Sequence, residues 1–273
     1  MKICKYFILI IIVISCETKD ILSPDNDSNN FYPTAFTKLD QIKLDSLNNK
    51  LIEKLGTNSY AQIDSFGFTS HHQNTGNFYD EYGNILTGSN IDNTTQAVSL
   101  AKSTIFNLNN FTNVIDTLEL SVKTVERDLY NDWKIEFKNQ IFKNLEVLNT
   151  EIEVKITIND FVIINGSNPR HYKNIIIPTN EKITKNKAKE ILVGTEIEFI
   201  CQQKIKFFIT DESIQLEDIE KCIYPFQEKN TITLHTVWKV PVYYDSKTLL
   251  GWYYYIDEIS GKIINYEQLF YCN

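Results

Sequence analysis

The fold is decided by residues 238–264, which read WKVPVYYDSKTLLGWYYYIDEISGKII. Aromatic and β-branched residues dominate both halves of this stretch, and such residues favour β-strands. Asp257 can accept hydrogen bonds from turn amides, and Gly261 can adopt the positive φ that a tight or bulged turn requires. The end of the chain is therefore predicted to form strands over 231–244, 250–256 and 262–266.

Two passages upstream place a helical pattern before a run of strands. The first contains helices over 37–55 and from Asn93 to about residue 107, with apolar residues at helical spacing and Asn93 as a good N-cap. The second begins with a short helix opened by Thr184. Runs rich in β-forming residues predict the remaining strands at 115–125, 134–137, 145–158, 161–164, 195–200 and 204–208. This pattern predicts an α+β fold with antiparallel sheets and more strand than helix.

Composition and motifs exclude several classes of function. The formal charge is −8 and no basic stripe exists, which argues against nucleic-acid binding. The sequence has no H-E-x-x-H, Walker loop, G-x-S-x-G or Rossmann fingerprint, so we predict that the protein is not an enzyme. His71 and His72 are neighbours, and adjacent residues of an extended chain point to opposite sides, so we interpret them as an exposed polar loop and expect no metal and no cofactor. His235 falls in an alternating strand and is expected on a sheet surface.

The N-terminus has the layout of an export signal. Lys2 and Lys5 are followed by an apolar run from Tyr6 to Ile14 that is too short to span a bilayer. The run closes as VISC at residues 13–16, which resembles the lipobox of lipoprotein signal peptidase substrates. The resemblance implies removal of residues 1–15 and acylation of Cys16, with an ordinary signal peptide or an N-terminal anchor helix as the alternatives. We therefore expect a lipid-anchored protein of the bacterial cell envelope, in contact with the membrane through its N-terminal lipid.

The polar segment that follows is predicted to be a tether. Residues 23–30 read SPDNDSNN, a composition that cannot bury enough apolar surface to order itself. The predicted organisation is a signal peptide at 1–15, a flexible tether at 16–36, an N-terminal α+β region at 37–175 and a C-terminal domain at 176–273. The rest of the sequence contains no run of about 18 apolar residues, so no second membrane span is predicted.

Three cysteines remain for the exported part. They are Cys201, Cys222 and Cys272, which in an oxidising compartment permit one disulfide and one unpaired thiol. Pairing Cys201 with Cys222 closes the shortest loop, and both alternatives involving Cys272 stay open. None of the spacings is C-x-x-C, so zinc binding and thioredoxin-like chemistry are not expected.

Two stretches resemble known families. Residues 251–264, with an aromatic strand followed by Asp257, Ser260, Gly261 and a basic residue, resemble the closing hairpin of the PepSY module. Residues 137–149, FKNQIFKNLEVLN, with the following IEVKI at 152–156, resemble the FTP unit in propeptides of fungalysin and thermolysin type metalloproteases. That family commonly has Gly where this chain has Asn144, and Asn also tolerates a left-handed backbone.

The resemblance implies cystatin-like units, each a helix packed on a curved antiparallel sheet, with a PepSY-like domain over 176–273 and an FTP-like unit within 37–175. In the families such modules precede a protease and act as folding assistant and inhibitor, whereas this chain lacks the H-E-x-x-H of a zincin domain. It therefore implies a non-catalytic module that binds a peptide or protein, or inhibits a protease. The alternative is an envelope scaffold or accessory lipoprotein of a surface complex.

The aromatic C-terminal hairpin is the predicted binding surface. Edge strands carry unpaired N–H and C=O groups and recruit extended peptides as an added strand. Strand alternation then places Tyr243, Tyr253 and Tyr255 as exposed contacts for an unknown peptide or protein partner, with Trp252 and Tyr254 facing inward.

Overall fold

The α+β class predicted from the sequence is confirmed by a computed structural model, in which the sheets are antiparallel and curved. The model describes residues 32–33, 35–55, 60–74, 78–79, 85–86, 91–157, 162–165, 170–180, 182–201, 203–244 and 250–269. The helices in these ranges are α1 (Gln41–Leu55), α2 (Thr94–Asn107), α3 (Asn109–Thr112) and α4 (Lys185–Leu192), and strand residues outnumber helical ones. No helix in the same ranges combines the length and the apolar content needed to cross a membrane.

Both predicted N-caps are confirmed. The Asn93 side chain accepts a hydrogen bond from the Gln96 amide at 3.0 Å, and the Thr184 hydroxyl accepts one from the Lys187 amide at 3.2 Å. The first helix begins at Gln41 rather than at residue 37, because residues 35–37 form a strand instead.

The first sheet, called here the N-terminal sheet, has six strands and is covered by α2. Ala97, Leu100, Ala101 and Ile105 of α2 are buried and share a core with inward-facing residues of the sheet. Leu51 of α1 belongs to the same core. The strands in spatial order are β2 (Tyr60–Ile63), β3 (Thr69–Asn74), β11 (Val162–Asn165), β10 (Ile152–Ile156), β7 (Trp133–Phe137) and β6 (Val122–Arg127).

The second sheet, called here the C-terminal sheet, holds the predicted binding hairpin. In spatial order its strands are β17 (Ile263–Gln268), β16 (Leu250–Asp257), β15 (Thr231–Tyr243), β14 (Glu220–Glu228), β9 (Leu145–Val147) and β8 (Gln140–Phe142), and β1 (Ala35–Thr37) pairs with the start of β15. The β9–β14 pair is parallel and the other pairs are antiparallel. Two hairpins complete the strands, β4 (Phe78–Tyr79) with β5 (Ile85–Leu86) and β12 (Glu196–Cys201) with β13 (Gln203–Phe208).

Both faces of the C-terminal sheet are covered. On one face Val240, Trp252 and Ile256 share a core with Leu192 of α4 and Phe199 of β12. On the other face a second cluster is buried around the middle of the sheet, formed by Leu148, Cys222, Tyr224, Val237 and Tyr255. The central strands therefore have no wholly solvent-facing side along this part of their length.

Strand β14 was not predicted, although it pairs with β15 over nine residues. Its Pro225 argues against a central strand in a sequence, because proline cannot donate a ladder hydrogen bond. The structure tolerates the proline because β9 pairs with β14 only at Cys222 and Ile223, before Pro225 is reached. Beyond that point one side of β14 does not need an amide donor.

The two turn predictions made for the family-like stretches are confirmed. Gly261 has φ of 70° and Asn144, which stands where the FTP family has Gly, has φ of 65°. Residues 158–161, where Asn159 and Asp160 were predicted to form a hairpin turn, lie outside the described ranges.

The C-terminal sheet draws strands from both predicted regions. β1, β8 and β9 precede residue 175, yet they pair with strands that follow it. The predicted tether also overlaps this sheet, since β1 begins at Ala35 and the side chain of Tyr32 is buried. The signal peptide predicted at 1–15 lies outside the described residues.

Candidate functional site

The predicted contact residues Tyr243 and Tyr253 line a recess on one face of the C-terminal sheet. Tyr243 is half-buried, and its hydroxyl donates a hydrogen bond to Asp218 at 2.8 Å, which raises the pKa of Tyr243 to about 12. The Lys239 ammonium lies 4.2 Å from the centre of the Tyr253 ring, within the range of a cation–π contact. The recess has a volume of about 220 Å³ and is lined by Glu217, Asp218, Glu220, Lys239, Pro241, Tyr243 and Tyr253.

Tyr255 is not an exposed contact, so that prediction was wrong. Its side chain is only 3 % exposed, and its ring centre lies 4.7 Å from that of Tyr224. Strand alternation placed Tyr255 on the same face as Tyr253, but Leu148 and Cys222 cover that face beside it. Trp252 and Tyr254 are buried on the opposite face, as expected.

The edge of the sheet also differs from the prediction. Strands β15 and β16, expected to carry the open edge, are each paired on both sides, because β15 lies between β14 and β16 and β16 lies between β15 and β17. Among the described strands β17 is the end of the sheet. An added strand would therefore pair with residues 263–268.

The register of β17 shows which backbone groups face outward. The Leu269 amide donates to the Gly251 carbonyl at 2.9 Å, so these two residues form a hydrogen-bonded pair. In an antiparallel ladder such pairs alternate with pairs that do not bond to each other. Tyr266, opposite Tyr254, belongs to the second kind, and its N–H and C=O point away from β16.

The side chain of Tyr266 offers an aromatic surface at the same edge. It is 39 % exposed and stacks on buried Tyr254, with ring centres 5.6 Å apart and planes 20° apart. Tyr254 belongs to the buried core, so the Tyr266 ring packs with one face on a buried side chain. The edge therefore combines outward backbone groups with an ordered apolar platform.

His235 and Asp257 form a buried pair that the sequence did not reveal. The Asp257 carboxylate lies 2.8 Å from His235 Nδ1, and both side chains are 1 % exposed. His235 was expected on a sheet surface, which was wrong, because the Tyr32 ring covers it at a centroid distance of 4.1 Å. The predicted turn role of Asp257 is confirmed, since its other oxygen accepts from the amides of Ile259 and Ser260.

The hydrogen-bond partners of Asp257 stabilise its charged form. Burial opposes its ionisation, but hydrogen bonds from His235 and Ser260 keep the pKa of Asp257 below its usual range. The pair is closed off from solvent by Tyr32, which donates a hydrogen bond to the Thr236 carbonyl at 3.2 Å. The His235–Asp257 pair therefore connects the turn after β16 with strand β15 and with Tyr32 of the N-terminal segment.

The remaining predicted site residues are only partly described. Cys222 is buried, and burial raises the pKa of its thiol to about 12. The side chain of Cys201, the whole of Cys272 and the lipidation residue Cys16 lie outside the described part, so the disulfide and the acylation stay predictions.

The histidine neighbours are described only in their backbone. His71 and His72 lie in β3, and His72 pairs with Ile164 of β11, so they do not form the predicted loop; their side chains are outside the described part. Among the described residues, no group of three or more His, Cys, Asp or Glu side chains could hold a metal ion.

The chain has a weak structural likeness to a solved protein domain. No family model matches the chain, and no curated protein matches it significantly. The solved C-terminal domain of YpeB from Bacillus megaterium aligns with a TM-score of 0.34 and 11 % identity, covering 86 % of this chain and 100 % of that domain. At these values the likeness assigns neither a family nor a function.

Proposed function

We propose that this protein is a lipid-anchored, non-catalytic protein of the bacterial cell envelope that binds an extended segment of a partner protein. In this proposal Cys16 carries the lipid, the polar residues before Tyr32 form the tether, and β17 pairs with the bound segment. The lipobox-like residues 13–16 support the anchor, and the absence of catalytic motifs from the sequence supports a binding role.

The observation that carries the binding role is the chemistry of the β17 edge. Natural proteins protect edge strands with charged side chains, bulges or very short strands. Edge strand β6 carries Lys123, Glu126 and Arg127 among six residues, and β6 and β17 each have one register irregularity in their ladder. Strand β17 has the same length and carries a single charged residue, Glu267. The two edges therefore differ in charge, and β17 lacks the charged side chains that protect β6.

Two other edges, those of β8 and β13, are less suited to adding a strand. Strand β8, at the far end of the same sheet, has only three residues. Strand β13 carries Lys204 and Lys206, which pair with glutamates of β12. A partner segment that adds to β17 would gain main-chain hydrogen bonds worth roughly 0.5–1.5 kcal/mol each and side-chain contact with Tyr266.

The identity of the partner decides the biological outcome. A bound protease segment would make the protein an inhibitor, as the PepSY and FTP resemblance implies. A bound segment of a surface protein would make it the scaffold or accessory subunit of an envelope complex. Strand addition at β17 is common to both.

A proline substitution tests strand addition at β17. Tyr266→Pro removes an outward N–H without removing a bond to β16, whereas Tyr266→Ala removes the same ring and keeps the N–H. The probes are three fluorescent seven-residue peptides in which valine alternates with lysine, threonine or glutamate, and binding is followed by anisotropy. We expect at least one peptide to bind the parent and the alanine variant, and binding to fall at least tenfold further in the proline variant.

The folding of each variant is checked by circular dichroism and thermal unfolding before binding is measured. The proposal is wrong if none of the peptides binds the parent protein. It is equally wrong if the proline and alanine variants bind alike while both are folded.

A further inference from the structure

The two faces of the sheet beside the β17 edge differ in chemistry. On one face the nearest exposed side chain of β17 is Tyr266, stacked on Tyr254. On the other face Glu267 lies directly opposite Tyr253, which lines the recess. A strand added to β17 would present alternate side chains to these two faces.

The face that carries Glu267 is predominantly acidic. The recess contains three carboxylates, Glu217, Asp218 and Glu220, and one ammonium, Lys239. Lys239 already lies over the Tyr253 ring, so its charge is engaged inside the recess. Asp218 accepts the hydrogen bond from Tyr243, which raises the pKa of that phenol.

We propose that the segment bound at β17 alternates apolar and basic residues, with the apolar side chains against Tyr266 and the basic ones beside Glu267, on the face that also carries the acidic recess. This inference rests on the proposed strand addition and names the chemistry of the partner. Side chains directly opposite in neighbouring strands have Cβ atoms about 4.5–5.5 Å apart, so a lysine or arginine opposite Glu267 can form an ion pair. The apolar residues of the segment would cover the exposed part of the Tyr266 ring.

The expected selectivity is modest at one position and larger over the whole face. A cross-strand pair of opposite charges changes affinity by roughly 1.5- to 5-fold, and like charges directly opposite weaken it by a similar factor. The recess carboxylates add a longer-range attraction that raises the association rate at low salt and is screened as salt increases. Basic and acidic peptides of the same strand pattern should therefore differ in affinity by at least tenfold at low salt.

The three alternating peptides of the strand-addition assay also test this inference. We expect the valine–lysine peptide to bind most tightly, the valine–threonine peptide more weakly and the valine–glutamate peptide least. A fourth peptide has the same four lysines and three valines in two blocks, so it keeps the charge and loses the alternation. It should bind at least fivefold more weakly than the alternating form.

Two matched substitutions locate the charge effect. Glu267→Gln removes the carboxylate at the edge, which contributes to the raised pKa of Tyr255, and keeps a polar side chain of the same size. It should reduce the preference for lysine over threonine by roughly 1.5- to 5-fold. Glu126→Gln makes the same chemical change on the protected edge strand β6 and should leave the preference unchanged.

The outcomes separate this inference from strand addition itself. If the threonine or glutamate peptide binds as tightly as the lysine peptide, and Tyr266→Pro still abolishes binding, the basic partner is wrong while strand addition stands. Equal effects of Glu267→Gln and Glu126→Gln would also overturn the basic partner. If no peptide responds to Tyr266→Pro, strand addition fails and the present inference fails with it.

Discussion

The burial of Tyr255 makes a strong prediction, because its neighbour Tyr253 has the same chemistry and a different environment. Tyr255 is 3 % exposed and packs on Tyr224, whereas Tyr253 is half-buried beneath Lys239. A buried tyrosine removes about 150–250 Å² from water, which at about 25 cal/mol per Å² is an upper bound of roughly 4–6 kcal/mol. Truncation of large buried aromatic residues typically costs about 3–5 kcal/mol.

We therefore expect Tyr255→Ser to lower the free energy of unfolding by about 3–5 kcal/mol and Tyr253→Ser by about 1 kcal/mol. In a protein of this size 1 kcal/mol corresponds to roughly 2–4 °C, so the melting temperature of the Tyr255 variant should fall by roughly 6–20 °C. Urea unfolding followed by tryptophan fluorescence measures the free energy of unfolding of both variants, because Trp252 is buried in the same strand. Thermal unfolding measures the melting temperature.

A milder substitution covers the case in which Tyr255→Ser does not fold. Tyr255→Phe keeps the ring and loses only the hydroxyl, for an expected cost of about 1 kcal/mol. Equal destabilisation by serine at positions 253 and 255 would refute the assignment of Tyr255 to the covered face.

Three further predictions concern the thiol, the phenols and the anchor. In a protein with Cys201→Ser and Cys272→Ser, Cys222 should react with a thiol reagent at pH 8 only after unfolding, because burial raises its pKa to about 12; rapid reaction of the native protein would contradict this. Burial raises the pKa values of Tyr254 and Tyr255, and the bond to Asp218 raises that of Tyr243 to about 12. Since their unfolded values are about 10, this stabilisation is complete below about pH 10 and is lost as the pH rises towards the folded values, so the urea midpoint should fall between about pH 10 and 12. Finally, Cys16→Ser should abolish metabolic labelling by fatty acid and leave the signal uncleaved, and persistent labelling would exclude Cys16 as the acylated residue.

Local signals in the sequence predicted most of the secondary structure. The N-caps at Asn93 and Thr184 were readable because a side chain three residues before a helical amide can bond to it without any distant partner. The positive φ of Asn144 and Gly261 was readable for the same reason, since few residue types adopt it.

The candidate site was less predictable because distant segments complete it. His235 alternates with apolar residues and reads as a surface residue, but Tyr32, about two hundred positions earlier, covers it. Tyr255 shares a face with Tyr253, but Leu148, which follows β9, buries it. Strand alternation gives the parity of a face and does not show what packs against it.

The open edge of β17 could not be identified for a related reason. Strand strength pointed to β15 and β16, and a sequence shows how strongly a segment forms a strand but not its place in the sheet. The order β17-β16-β15-β14 puts the strongest strands inside. The weaker and more polar β17 lies at the edge. Edge strands are usually protected by charged side chains, so its single charged residue marks it as a site for strand addition.

Amide hydrogen exchange at Tyr266 tests the central claim most directly. The measurement compares the protein alone with the protein saturated by whichever alternating peptide binds most tightly, using residue-resolved nuclear magnetic resonance. By the alternation of the ladder, the amides of Asn265 and Glu267 bond to β16 and should be protected in both states, while that of Tyr266 should exchange rapidly until the peptide binds. Protection of Tyr266 only in the complex is the predicted result. An unchanged exchange rate at Tyr266 in the saturated complex would contradict strand addition at this edge.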